Sequence, residues 1–133
     1  MRKARKPLRD EEKLVGAALA AGRMAIGVGF WAAPELAAKA LGMKPMDAET
    51  LAVSRLTATR DLILGAWLGA ELRDGGRPLT PAVALTVCDA GDSVTFTLLA
   101  ARGGDELSSG LRGLAAAGPA TAAGAWLVQR LRS

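Results

Sequence analysis

Three long apolar stretches of this chain each carry charge near their middle. Asp89 and Asp92 lie one helical turn apart in TVCDAGDSVTFTLLAA, Arg23 interrupts LVGAALAAGRMAIGVGFWAA, and the adjacent Arg60–Asp61 interrupt AVSRLTATRDLILGAWLGAEL. Charge buried in a segment long enough to cross a bilayer is costly unless it is paired, and pairing fixes how the helices assemble. The pattern asks for a helical membrane protein with a polar heart. It names neither a substrate nor a reaction.

The 133 residues suffice for one domain and are too few for two. Half are apolar, yet only Phe30, Phe96 and three Trp are aromatic, and Tyr is absent. Soluble cores of this size use more aromatic bulk. Here the apolar mass is Ala, Leu, Gly and Val, which suits helices packed closely in lipid. The lack of histidine removes the commonest general base and metal ligand. Cys88 is the only cysteine, so no intrachain disulfide or paired-cysteine metal site can form, and in its apolar run it reads as a small buried hydrophobe. No cofactor or metal is expected. The net charge of +4 is concentrated in the tail MRKARKPLRDEEK, with no basic stripe interleaved with aromatics, so nucleic acid is not an expected partner.

Residues 1–13 read as a basic tail and 14–133 as one domain. Spans are expected at about 14–33, 52–72, 80–101 and 111–131, each near the ~20 residues that cross a bilayer core. PELAAKALG reads as a short helix started by Pro34 and ended by Gly42. RDGGRPL and RGGDELSSG read as turns, and Pro119 as a kink in the last span. The expected fold is all-α: a four-helix transmembrane bundle, up-down-up-down, with both termini cytoplasmic. With the N-terminus inside, the inner segments hold Arg2, Lys3, Arg5, Lys6, Arg9, Lys13, Arg73, Arg77, Arg130 and Arg132; the outer ones hold Lys39, Lys44, Arg102 and Arg112. The expected location is the inner membrane, crossed several times. Ala38-Lys39-Ala40 resembles a signal-peptidase site, but the apolar region before it is too long and is centred on Arg23, so cleavage is not expected. A soluble bundle is the rival reading. The charges of the second span favour it, and the lack of a broad polar face on any span argues against it.

In that arrangement Arg23, Arg60, Asp61, Asp89 and Asp92 fall at a similar depth. Asp89 and Asp92 share a helix face and can grip one guanidinium or two. Arg23 and Arg60 are expected to bridge one aspartate of the third span each, and Asp61 to pair with Arg55, which supplies a third positive charge, or with a neighbouring helix. Ser54, Thr57, Thr59, Thr86, Ser93 and Thr95 could satisfy leftover valences. Such a layer acts either as glue that fixes helix register or as a site for a head group or a proton. Two desolvated aspartates this close disfavour double ionisation unless both arginines engage them. Gly65-x-x-x-Gly69 fits a helix-contact face, as do Ala25/Gly29 and Ala120/Gly124.

The run GR-x-A-x-G-x-G-F-x-x-x-P from Gly22 to Pro34, the R-x-x-x-x-RDL-x-LG run from Arg55 to Gly65, and the D-x-x-D of Asp89 and Asp92 resemble a family. It is a group of short bacterial four-helix integral membrane proteins, loosely similar to the DoxX-like group. The resemblance covers residues 20 to about 100. It implies four transmembrane helices with Arg23, Arg60, Asp61, Asp89 and Asp92 at recurring polar positions, and it implies no activity.

The leading functional expectation is a small membrane protein with an accessory or ligand-binding role. Its expected partners are the lipid bilayer, a small polar ligand or lipid head group, and a larger membrane complex or a second copy of the chain. The first alternative is a carrier moving a proton or polar solute through the charged layer. The weaker one is a lipid- or quinone-modifying enzyme, which would have to work with aspartates alone.

Overall fold

A computed structural model describes residues 7–133. The chain is all-α among these residues and forms five helices: α1 (Asp10–Ala32), α2 (Pro34–Ala40), α3 (Ala48–Arg73), α4 (Leu79–Ala100) and α5 (Gly104–Arg132). Two of them, α1 and α4, are long and apolar enough to cross a membrane. This overturns the expected four-helix transmembrane bundle. The stretches read as second and fourth spans do form helices, but α3 carries Glu49, Arg55, Arg60, Asp61, Glu71 and Arg73, and α5 carries Asp105, Glu106, Arg112, Arg130 and Arg132. Gly, Thr and Pro further dilute the apolar character of α5.

The helices associate as two close hairpins, α1 with α3 and α4 with α5, and contact between the hairpins is sparser. Within a hairpin the seam is built from small residues. A Cβ placed on Gly65 would lie 2.8 Å from the Ala20 carbonyl oxygen, and one on Gly27 would lie 2.9 Å from that of Ala58. In the other hairpin, a Cβ on Gly110 would lie 2.7 Å from Ala100 Cα. Backbones this close need residues with almost no side chain.

Boundaries follow local chemistry. α1 starts within the segment read as tail, because Glu12 reaches back to accept from the Arg9 amide at 3.0 Å. Asp47 caps α3 by accepting from the Thr50 amide at 2.7 Å. The segment 104–110, read as part of a turn, belongs to α5. The turn is confined to Ala101–Gly103, and Gly103 and Gly104 both take positive φ, where a Cβ would be strained. Asp105 and Glu106 then sit in the first turn of α5, where acidic side chains oppose the helix dipole favourably. α5 continues through Pro119.

Both described ends of the chain meet at one end of the molecule, where Arg130 Nη2 approaches Glu11 Oε1 to 3.9 Å. Arg2, Lys3, Arg5 and Lys6, on which the cytoplasmic orientation leaned, lie outside the described residues. Towards this end the hairpins share an apolar cluster of Ala20, Leu68, Ala82, Leu85, Leu127 and Leu131. Large apolar side chains lie on the outside of the molecule as well as in this cluster. Leu56 (73% exposed), Leu14 (72%) and Leu98 (64%) point out, while Arg23, Asp61 and Asp89 are buried.

Candidate functional site

The buried stripe of each helix explains why charge ends up inside. On α1 the inward positions are Glu12, Gly16, Ala20, Arg23 and Gly27, a helical repeat in which Arg23 is the one large side chain after the first turn. On α3 the stripe runs Ala58, Asp61, Leu64, Gly65 and Leu68, and on α4 it runs Pro81, Ala82, Leu85 and Asp89. The small neighbours leave room around each charge.

Arg23 sits at the centre of the layer. Its Nη1 donates to Asp61 Oδ1 at 2.6 Å, its Nη2 pairs with Asp89 Oδ1, and Asp92 Oδ2 lies 3.7 Å from Nη1. Arg60 grips Asp92 with two parallel bonds, Nη1 to Oδ1 at 3.2 Å and Nη2 to Oδ2 at 2.8 Å. Its Nε and Nη2 also donate to Asp61 Oδ1, at 3.2 and 3.1 Å. Fork-to-carboxylate pairing of this kind is strong and directional. Arg23 and Asp89 are almost wholly enclosed, whereas the side chains of Arg60 and Asp92 keep 33% and 28% exposure at the edge of the layer. Asp61 serves both arginines, and Arg23 and Arg60 each cross from the first hairpin to α4 of the second.

Arg55 is not part of this layer. Its guanidinium stacks over the Trp31 ring, 6.0 Å from the centroid, and the Trp31 Nε1–H donates to Thr59 Oγ1 at 3.2 Å. The ring face attracts a cation more cheaply than burial beside Asp61 would. The hydroxyls expected to complete the layer bond instead to their own helices. Ser54, Thr57, Thr59, Thr86, Ser93 and Thr95 donate to backbone carbonyls three or four residues earlier. Ser93 also meets Thr121 Oγ1 at 3.1 Å, which links α4 to α5 without charge. Of the packing glycines, Gly65 lies directly against α1, while a Cβ on Gly69 would reach only ordinary contact with Ala20. Gly124 packs on Thr86, and Gly29 faces Ala37 of α2.

Two features escaped the sequence reading. Glu12, deep in the first turn of α1, is a buried acid paired with Arg9 at 3.4 Å. Asp89 Oδ2 is buried without a hydrogen-bond partner. The sequence signal for the second was available: three carboxylates against two guanidinium groups once Arg55 is set aside. Two cavities lie at helix ends rather than at the layer, one between Arg9, Glu12, Arg77 and Arg130, the other lined by Pro34, Glu35, Leu36, Leu51 and Arg55. Among the described residues, no group of three or more metal-ligating side chains is placed to hold a metal ion.

No protein-family model, curated protein or solved structure matches the chain. The resemblance to DoxX-like membrane proteins gains no support from these comparisons.

Proposed function

We propose that this chain is a multi-pass protein of the inner membrane whose Arg/Asp layer locks two helical hairpins together, in an accessory role beside a larger membrane complex. The observation that carries the reading is the inverted surface: large apolar side chains face out while Arg23, Asp61 and Asp89 are enclosed. In water such a surface would drive association; against acyl chains it is the matched one. The lipid bilayer is then the first partner, with α1 and α4 as the segments best suited to cross it.

The lock, rather than a path for solute, is supported by how the charges close on one another. The central guanidinium of Arg23 is consumed by Asp61 and Asp89, and that of Arg60 by Asp92 and Asp61. Apolar surface gives helices in lipid little reason to associate, so directional ion pairs supply register that packing alone would leave loose.

Alkaline washing of membranes from cells expressing the full chain tests the location. Retention in the pellet is expected, and release into the wash would refute it. Mild-detergent purification tests the role: a stable larger assembly is expected, and a lone chain showing solute flux in liposomes would favour a carrier instead.

A further inference from the structure

Where α1 ends at Ala32, the chain turns through Ala33 into the short α2, which packs beside α3. An open cleft of about 330 Å³ lies at this corner, lined by Ala33, Pro34, Glu35, Leu36, Leu51 and Arg55. That volume falls in the range of sites for small molecules. Two side chains of opposite charge line the cleft and do not close on each other. Among the described residues, no carboxylate comes within 4.0 Å of the Arg55 nitrogens, and no cation comes as near to Glu35. Other charges at this end are satisfied: Lys44 reaches Asp105 at 3.2 Å, and Arg112 donates to the Gly42 carbonyl.

The depth of the cleft says what could answer both charges. α1 is one of the two helices fit to cross a membrane, and the cleft opens just past its last residue. There acyl chains give way to head groups, the level at which tryptophan rings collect, and Trp31 lies under Arg55. Leu36, 68% exposed, offers apolar surface beside the charges. A guanidinium suits a phosphate, and a carboxylate suits an ammonium. A quaternary ammonium is gripped by free aromatic faces, but here the Trp31 ring already carries Arg55. A primary ammonium, which can donate to Glu35, is the better match.

We infer that this cleft holds the head group of an ethanolamine phospholipid, with its phosphate on Arg55 and its ammonium on Glu35. The inference rests on the membrane location proposed above and adds to it a lipid and a seat.

Native mass spectrometry of the full chain tests it, after exposure in mild detergent to equal amounts of ethanolamine, choline and glycerol phospholipids with the same acyl chains. The wild type should retain the ethanolamine lipid first. Arg55→Gln should lower that retention roughly tenfold, since a charged hydrogen-bonding partner is lost. Glu35→Gln should keep lipid but lose the preference for ethanolamine over choline. Glu35→Lys should switch the preference to the anionic glycerol lipid, a gain that misfolding cannot imitate. Lys39→Gln, on the same helix but outside the cleft lining, should leave the order unchanged. No preference in the wild type, undiminished retention by Arg55→Gln or an unchanged order in Glu35→Lys would each overturn the inference. So would a loss in Lys39→Gln equal to that in Arg55→Gln, or displacement of the lipid by free phosphoethanolamine. Retention of the chain in alkali-washed membranes without any lipid preference would overturn the site alone; release into the wash would overturn location and site together.

Discussion

The α1/α3 and α4/α5 seams are closed by the same device and differ in what lies at their centres. In both, glycine lets backbone meet backbone: Gly27 and Gly65 in the first, Gly110 in the second. The first seam places Arg23 against Asp61, an ion pair that is almost fully buried. The second places Ser93 against Thr121, a neutral hydroxyl pair. Small residues thus set how near two helices come, and need no charge to do it. The charges do a different job, because Arg23 and Arg60 also reach Asp89 and Asp92 across the sparser boundary between hairpins. Hairpins are made by glycine; the molecule is joined by arginine, together with the leucine cluster at one end.

Removing Arg23 should break this comparison most severely. Arg23→Gln leaves Asp61 with Arg60 alone and strips the enclosed Asp89 of its cation, and unpairing a buried charge costs about 3–5 kcal/mol. The expected outcome is loss of the joined state, seen as a large fall in thermal midpoint in detergent. The separate hairpins should keep much of their helical circular dichroism.

The seams themselves should respond alike if glycine is what closes them. Gly65→Val drives a side chain into the Ala20 carbonyl, and Gly110→Val drives one into the Ala100 backbone. Overpacking of this kind costs roughly 1–3 kcal/mol. Comparable losses in the two variants, measured by denaturant titration, are expected. A much larger loss for Gly65→Val would mean that the charged seam is the less adaptable one.

Arg60→Gln should be milder than Arg23→Gln, although it removes more hydrogen bonds. The side chains of Arg60 and Asp92 keep 33% and 28% exposure, and without Arg60 the carboxyl of Asp61 still has Arg23, so less enclosed charge is left unpaired. A fall in thermal midpoint in detergent clearly smaller than that of Arg23→Gln is expected. An effect as large as that of Arg23→Gln would show that burial does not rank these two arginines.

How much of this could be read from the sequence depends on what each residue competes for. Arg23, Arg60, Asp61, Asp89 and Asp92 were legible because each interrupts an apolar run, and a charge there has few partners to choose from. Arg55 was not, since Trp31 offers a face that no spacing rule reveals. The hydroxyls were misjudged because a Ser or Thr within a helix has a carbonyl of its own one turn back, nearer than any arginine. The count of spans failed for a related reason. Helical length was visible in α3 and α5, but the mid-helix charges of α3 and the Gly, Thr and Pro of α5 weigh against crossing a membrane. The start of α5 was hidden by Gly103 and Gly104, which end one helix so sharply that the acids behind them look like loop.

The smallest expected effect lies where α3 begins, and it separates the hairpins by their caps. α3 has a side-chain cap, Asp47 accepting from the Thr50 amide, whereas Gly103 offers α5 none. The Thr50 hydrogen bonds hold the Asp47 carboxyl below its ordinary range. A folded-state value lower than the unfolded one contributes stability above the unfolded value, and that contribution fades as pH falls through the folded one. Amide exchange in the first turn of α3 should therefore speed up on acidification, relative to the first turn of α5. Asp47→Ala should bring the two turns to similar protection at neutral pH and remove the acid dependence from α3. Because the cap is exposed and distant from Arg23, the thermal midpoint of the whole should barely move. A large shift would mean that the end of the first hairpin is coupled to the charged layer, and that the two hairpins do not hold their ends independently.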